Sequence, residues 1–453
     1  MPEHDRLEAG ALNMVESMTM GVAGTAPAFS VAATTAALIA SVGVLSPASL
    51  LYCGVIMFGV TLAYMHLNRV SPNAGAGYVW VGAEFGPLLG FLTGWAVLVS
   101  SAAFMVSGTI PAATATLSLI APAQVANPEA VTLVAAAWMV AIGAIVLKGI
   151  KPTSYVQLLM TGIEVGVLVL IAVLAIVKFG IHGAHPFSLH WFAPSSFTPS
   201  LFAAGALTAL YFFWGWDVTV NLNEETKNAE SAPGYGAFWS MIVVVALFVL
   251  CTVAALLALN DDEIRKSGTN IVLAIAEKLF PKPWSYMAVI AVMLSSIGTL
   301  ETSILQFTRT MFAQARDGSL ARRYARLHPQ WKTPWLATAL IIVIGLVLLF
   351  MSSRFPSVDI VVKDSIEALG FQASFYYSLV GAACAWRFRR EAFQSASNFI
   401  LYFFWPLVST GFLVFTALYS LPTFDLTTNI VGIGGIALGI VPYMVNRRRR
   451  ASP

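Results

Sequence analysis

Two stretches decide how this chain is read: Gly21-Val22-Ala23-Gly24-Thr25-Ala26-Pro27 and, half a chain later, Phe213-Trp214-Gly215-Trp216-Asp217. Each lies inside an apolar run long enough to cross a bilayer, and each contains residues that interrupt a helix. In hydrocarbon, backbone that leaves the helical pattern is tolerated only where it is buried in protein or lines a wet cavity. A pair of broken helices at matching positions in two halves points to the central binding site of a secondary transporter.

Composition agrees with that class. Of 453 residues, 58% are hydrophobic and 10% charged, and apolar runs of about twenty residues recur along the whole length, the mark of a polytopic helical membrane protein. The strict alternation of transmembrane strands is absent, and no stretch of soluble-domain size separates the runs. Twelve spans are predicted, at 14–42, 48–67, 83–110, 131–148, 154–178, 199–222, 236–259, 284–312, 334–352, 361–386, 398–418 and 427–446, within one all-α membrane domain. The first apolar segment is too long for a signal-peptide core, and acidic residues precede it, so no cleavable leader is expected. Cys53, Cys251 and Cys384 have neither metal nor redox spacing and read as packing residues.

Orientation follows from charge. The N-terminus, the segments after even-numbered spans and the end of span eight hold eighteen of the twenty-five Lys and Arg, including Arg309, Arg316 and Arg447 to Arg450. The positive-inside rule then puts both termini in the cytoplasm of a multi-pass cell-membrane protein. If the two broken helices begin equivalent repeats, residues 10–180 and 198–390 are two halves of five spans. An odd number per half inverts the second relative to the first, leaving two additional helices at 396–446. The terminal arginine run is expected to fix topology and meet anionic lipid, not nucleic acid.

The chemistry at the breaks can be stated from the residues. Gly21 and Gly24 let the backbone unwind and approach a ligand closely, and Pro27 suits the first turn of the resumed helix. The amides of Ala23 to Ala26 and the turn beyond, with the helix dipole, are expected to hold a carboxylate. A simple kink or close helix packing is the competing reading. At the second break Gly215 permits unwinding, the carbonyls from Phe213 to Trp216 are acceptors for an ammonium group, and Trp214 and Trp216 offer aromatic faces for a cation or a hydrophobic gate. Plain packing is the alternative for both tryptophans.

Ionisable residues within spans are costly and point to function. Glu164 shares a helix face with Gln157 and Thr161. Desolvation favours the neutral form of a buried carboxylate, which suits proton coupling; an interhelical hydrogen bond is the plainer role. Asp217 follows the second break, as a gate or as a helix cap. Glu301 lies off the polar stripe of Ser295, Thr299, Thr302 and Gln306 and is expected to pair with Arg309 or with another helix. Hydroxyls of Ser295, Ser296, Thr299, Thr302 and Ser303 also permit a sodium site, with interhelical hydrogen bonds as the alternative. Glu224, Glu225 and Lys227 read either as a gate network or as solvated surface. His182, His185 and His190 lack the company a metal site needs, and no cofactor motif is present.

Three motifs carry a family resemblance. The segment Phe212 to Asn228 resembles helix six and its trailing loop in the amino acid–polyamine–organocation permeases. Arg309 to Gly318, followed by His328-Pro329 and Lys332-Thr333-Pro334, is similar to that family's exit from helix eight. Ser71 to Tyr78, just before span three, is the third match. The resemblance covers nearly the whole chain and implies a leucine-transporter fold with alternating access. It places Glu164 near a position where some proton-coupled members carry a lysine reaching toward helices one and eight. It places Asp217 where carboxylates help control substrate entry. The first break departs from the commoner Gly-x-Gly core. The reading is a proton-coupled transporter of an amino acid, with transport of a polyamine or organic amine, exchange, or a non-transporting amino acid sensor as alternatives. Its partners are the small-molecule substrate, protons or sodium, and lipid.

Overall fold

The computed structural model describes residues 6–353 and 358–451, and what it describes is helical. Helix α1 (Met14–Gly24) starts on a capping box: Asn13 accepts from the Glu16 amide while Glu16 accepts from the Asn13 amide, satisfying two otherwise orphaned donors. It stops at Thr25. Helix α2 (Pro27–Val42) resumes with Pro27 in its first turn, after Ala26 has taken a left-handed conformation at φ 48°. The first expected span is therefore broken between Gly24 and Pro27, whereas Gly21, read as a second point of unwinding, stays helical within α1.

The chain continues through α3 (Ser46–Val70), a short α4 (Gly77–Phe85), α5 (Pro87–Ile120), α6 (Pro128–Leu147) and α7 (Ile150–Phe179). Span three extends about ten residues beyond the expected end, because Pro111 lies inside α5 without ending it. The sixth span is divided into α8 (Pro199–Tyr211) and a single turn, α9 (Val218–Asn221), separated by irregular backbone with Gly215 at φ 98°. Then come α10 (Ala232–Ala258), the short α11 (Asp261–Ser267) and α12 (Ile271–Leu279), α13 (Met287–Arg316), α14 (Trp335–Ser352) and α15 (Val358–Arg387). The last two apolar segments, 396–420 and 426–446, each contain a π-helical turn, at Phe399–Phe404 and Ile430–Gly434. The side chains of the terminal arginines lie outside the described residues.

Among the described residues nine helical runs are long and apolar enough to cross a membrane. The first of them, Met14–Val70, merges two expected spans, and the broken sixth survives only as the shorter Pro199–Leu210. Helices α13 and α5 pack most extensively, followed by α10 on α3 and α15 on α5. Two large apolar clusters result. One joins α2, α3, α8, α10 and α15; the other joins α5, α6, α13 and α14. The second break, with Phe213, Trp214 and Trp216, belongs to the first cluster, as do Val22 and Ala28 on either side of the first break.

Candidate functional site

The breaks meet backbone to backbone. A β-carbon added to Gly24 would stand 2.2 Å from the Gly215 carbonyl oxygen, and one added to Gly215 would stand 2.1 Å from the Gly24 oxygen. No other residue type fits either position without moving the partner break, because heavy atoms at van der Waals contact sit more than 3 Å apart. Gly21 is closed in a different way, by Ser240 and Thr219 side chains. Every predicted binding residue, from Gly21, Ala23, Gly24, Thr25 and Ala26 to Phe213, Trp214, Gly215 and Trp216, is buried.

The polar stripe of α13 stitches both breaks. Ser295 Oγ accepts from the amides of Ala28 (3.1 Å) and Phe29 (3.2 Å), Thr299 donates to the Ala23 carbonyl at 2.5 Å, and Gln306 donates to Asp217 at 2.7 Å. The amides expected to hold a carboxylate have partners within the protein. The Thr25 and Ala26 amides bond back to Val22 and Ala23, Pro27 has none, and the next two are already satisfied by Ser295. A ligand carboxylate must displace that hydroxyl to reach them. The Thr299 bond likewise uses a carbonyl and a hydroxyl on which a sodium ion between these helices would draw.

Glu164 is buried with Oε2 unpartnered, and its carboxyl faces the same Ser295 hydroxyl. It thus lies between α7, α13 and the start of α2. Asp217 occupies the cap position of α9 but makes no cap hydrogen bond. Its carboxylate instead accepts from Tyr377 Oη at 2.8 Å and from Gln306, while Tyr377 also accepts from the Gly215 amide at 3.3 Å. Its buried carboxylate is thus held by neutral donors. Glu301 does not pair with Arg309. Its partner is Gln157 on α7, as described below.

Trp216 stacks on Tyr377, with ring centroids 5.5 Å apart, and meets Tyr64 edge-on at 5.1 Å. Trp214 leans on Phe104 at 5.3 Å. Both tryptophans are packed in this conformation. The indole N–H of Trp216 has no acceptor. Tyr64 and Tyr377, which complete the aromatic wall around the second break, carry no sequence signal that sets them apart from other membrane tyrosines.

On one side of the breaks the protein is closed. Arg309 and Glu225, both fully buried, form a two-bond pair at 2.8 and 2.9 Å. Arg316 grips Glu224 at 2.9 Å through both terminal nitrogens. Glu16, already part of the α1 cap, accepts from Lys151 at 2.6 Å and Ser154 at 3.1 Å, and the Lys227 amide donates to the Leu12 carbonyl at 2.8 Å. The acidic pair after span six is therefore an ion-pair network and not solvated surface; Lys227 joins through its backbone. On the other side a cavity of about 800 Å³ starts at Phe29 and Leu210 and runs between α2, α5, α8, α13 and α15. Glu367 is the one charged side chain among its described lining residues. His185, beyond the membrane runs, bonds Asp261 at 3.1 Å, and no group of metal-ligating residues occurs among the described residues.

A sequence profile described as "Amino acid permease" matches residues 14–442. The chain belongs to the amino acid permease family, within the amino acid–polyamine–organocation superfamily. This permease is 26% identical over 406 residues to the serine/threonine exchanger SteT of Bacillus subtilis, covering 87% of this chain and 86% of the relative. It is 25% identical over 395 residues to the low-affinity putrescine importer PlaP of Escherichia coli K12, covering 84% and 81%. With the branched-chain amino acid permease BcaP of Bacillus subtilis it shares 27% identity over 292 residues, 61% of each chain. The permease is accordingly a multi-pass membrane transporter and not an enzyme.

Proposed function

We propose that the permease moves an amino acid or related organic amine across the cell membrane by alternating access, coupled to protons through Glu164. The observation that carries this reading is the backbone contact of Gly24 with Gly215, set between a sealed face and an open cavity. A transporter needs a central point where both pathways end, and paired helix breaks provide one. The architecture in this proposal is twelve crossings, two inverted five-helix repeats with breaks in helices one and six, two further helices, and both termini in the cytoplasm. The sealed face is then the cytoplasmic one and the cavity opens outward.

The residues around the breaks support a substrate carrying an ammonium group. Acceptor carbonyls, the Asp217 carboxylate and the faces of Trp214 and Trp216 suit a cation, and the described cavity lining contains Glu367 but no Lys, Arg or His. Glu164 supports proton coupling, since it is a buried acid beside the start of α2. Exchange and putrescine import, the activities named for two relatives, are the second readings within transport. The test is uptake of labelled amino acids and amines into proteoliposomes under imposed proton and sodium gradients. Concentrative uptake that follows sodium and ignores the proton gradient overturns the coupling, and binding without any uptake leaves a sensor.

A further inference from the structure

Glu164 is not the last buried acid on its path. Glu301 is fully buried on α13, and its Oε2 has no hydrogen-bond partner. Its Oε1 is met by Gln157. With the amide turned so that its nitrogen faces acceptors, Gln157 donates to Glu301 Oε1 at 2.9 Å and to the Gly298 carbonyl at 3.1 Å, while its oxygen accepts from Thr161 at 2.9 Å.

Among the described residues no cation reaches this carboxyl. Of the elements packed on α13, helices α2, α5, α9 and α14 contain no ionisable Asp, Glu, His, Lys or Arg, and α6 contributes only Glu129 at its exposed start. Arg309 is held by Glu225, Arg316 by Glu224, and Lys151 by Glu16. Lys178 and Lys278 bind carbonyls at the far end of the molecule, where Glu277 meets Lys282. Arg322 and Arg323 lie in the exposed turn after α13. A charged carboxylate with one bare oxygen and no counter-ion among the described residues is strongly disfavoured.

The same side of α7 makes a path. Lys151, Ser154, Gln157, Thr161 and Glu164 follow at intervals of three or four residues, which puts them on one face. That face runs from the Glu16 pair at the sealed end to Glu164 beside the break. Gln157 lies seven residues from Glu164, about 10 Å along the axis, and Thr161 stands between them.

We infer that Glu301 is a second proton carrier, standing between Glu164 and the sealed face. This rests on the proton-coupled reading of Glu164. When the sealed face opens, Glu301 gives its proton to entering water and is left a carboxylate. The proton of Glu164 then passes through the Thr161 hydroxyl and an adjoining water, and the last O–H bond formed is on Glu301. Glu164 is left ionised and the carrier is refilled.

The test uses the full chain in liposomes loaded with a pH-sensitive dye, with the substrate found by the uptake panel. Glu301→Gln retains an acceptor for Gln157 but has no proton to give. Substrate exchange and thermal stability should stay near parent values, while proton influx and gradient-driven accumulation fall by about a hundred-fold, the scale of losing a positioned proton-transfer group. Glu301→Asp should restore part of the flux, and Gln157→Leu should lower it without abolishing it. Parental proton flux in Glu301→Gln, alongside a defective Glu164→Gln, overturns the carrier while leaving the coupling reading intact. Parental flux in Glu164→Gln overturns both. Equal loss of exchange and accumulation in Glu301→Gln shows a structural residue and also overturns the carrier.

Discussion

The contact between Gly24 and Gly215 gives the sharpest test of the site, and one methyl group suffices. In Gly24→Ala the new β-carbon would lie 2.2 Å from the Gly215 oxygen, against a closest comfortable C···O distance of about 3.3 Å. The breaks must part by about 1 Å, and neither is a flexible side-chain end that can swing away. Overpacking of this kind costs about 1–3 kcal/mol, which lowers the population of the touching state by roughly 5- to 150-fold relative to states in which the breaks separate. Gly215→Ala should be worse, because its φ of 98° adds backbone strain worth about 1–3 kcal/mol. Gly162→Ala and Gly166→Ala are the controls: both sit in α7 with nothing within 4 Å of the new carbon, and alanine favours a helix by about 1 kcal/mol over glycine. Substrate affinity, uptake and melting temperature of the purified variants decide the matter. Parental binding and uptake in both break variants would refute the claim that the two backbones form the site.

Glu164→Gln mimics the protonated acid, so uptake should lose its dependence on pH while exchange persists; concentrative, proton-driven uptake in the variant moves coupling to another buried acid such as Asp217. Arg309→Met should lower stability by about 3–5 kcal/mol by leaving Glu225 buried and unpaired, and Arg309→Met with Glu225→Leu should recover much of that in thermal unfolding; additive losses would show that the pair is not one unit. Trp216→Leu should weaken cationic substrates more than neutral ones by removing an aromatic face worth about 0.5–2 kcal/mol, and equal losses across the panel would leave it a packing residue.

The parts visible in sequence were those with local causes. Glycine inside apolar runs, with proline beside it in the first, located both breaks to within a few residues, since both residues weaken a helix locally. The three- and four-residue spacing of Gln157, Thr161 and Glu164 placed them on one buried face, and the hydroxyl stripe of α13 was legible for the same reason. Partner choice was not. Arg309 was as near in sequence to Glu301 as any cation, yet the fold brings Glu225 to it from 84 positions away. Ser295 read as one hydroxyl among several, and only the approach of α13 to the resumed α2 makes it the cap of two amides. Tyr64 and Tyr377 gave no signal at all, because an aromatic in a membrane helix has many ordinary uses and the wall they form is assembled from different helices.

The Ser295 cap also bears on how tightly cargo can be held. Were the Ala28 and Phe29 amides bare, an arriving anion would relieve two orphaned donors and collect the full benefit. In the proposed transport role it would evict a resident hydroxyl, so that subsite would return only the difference between one set of hydrogen bonds and another, on the order of 1 kcal/mol for a typical exchange. Such a placeholder keeps the empty carrier comfortable and the loaded one from becoming a trap, so the return journey of the unladen protein and the discharge of its passenger are made at similar elevation.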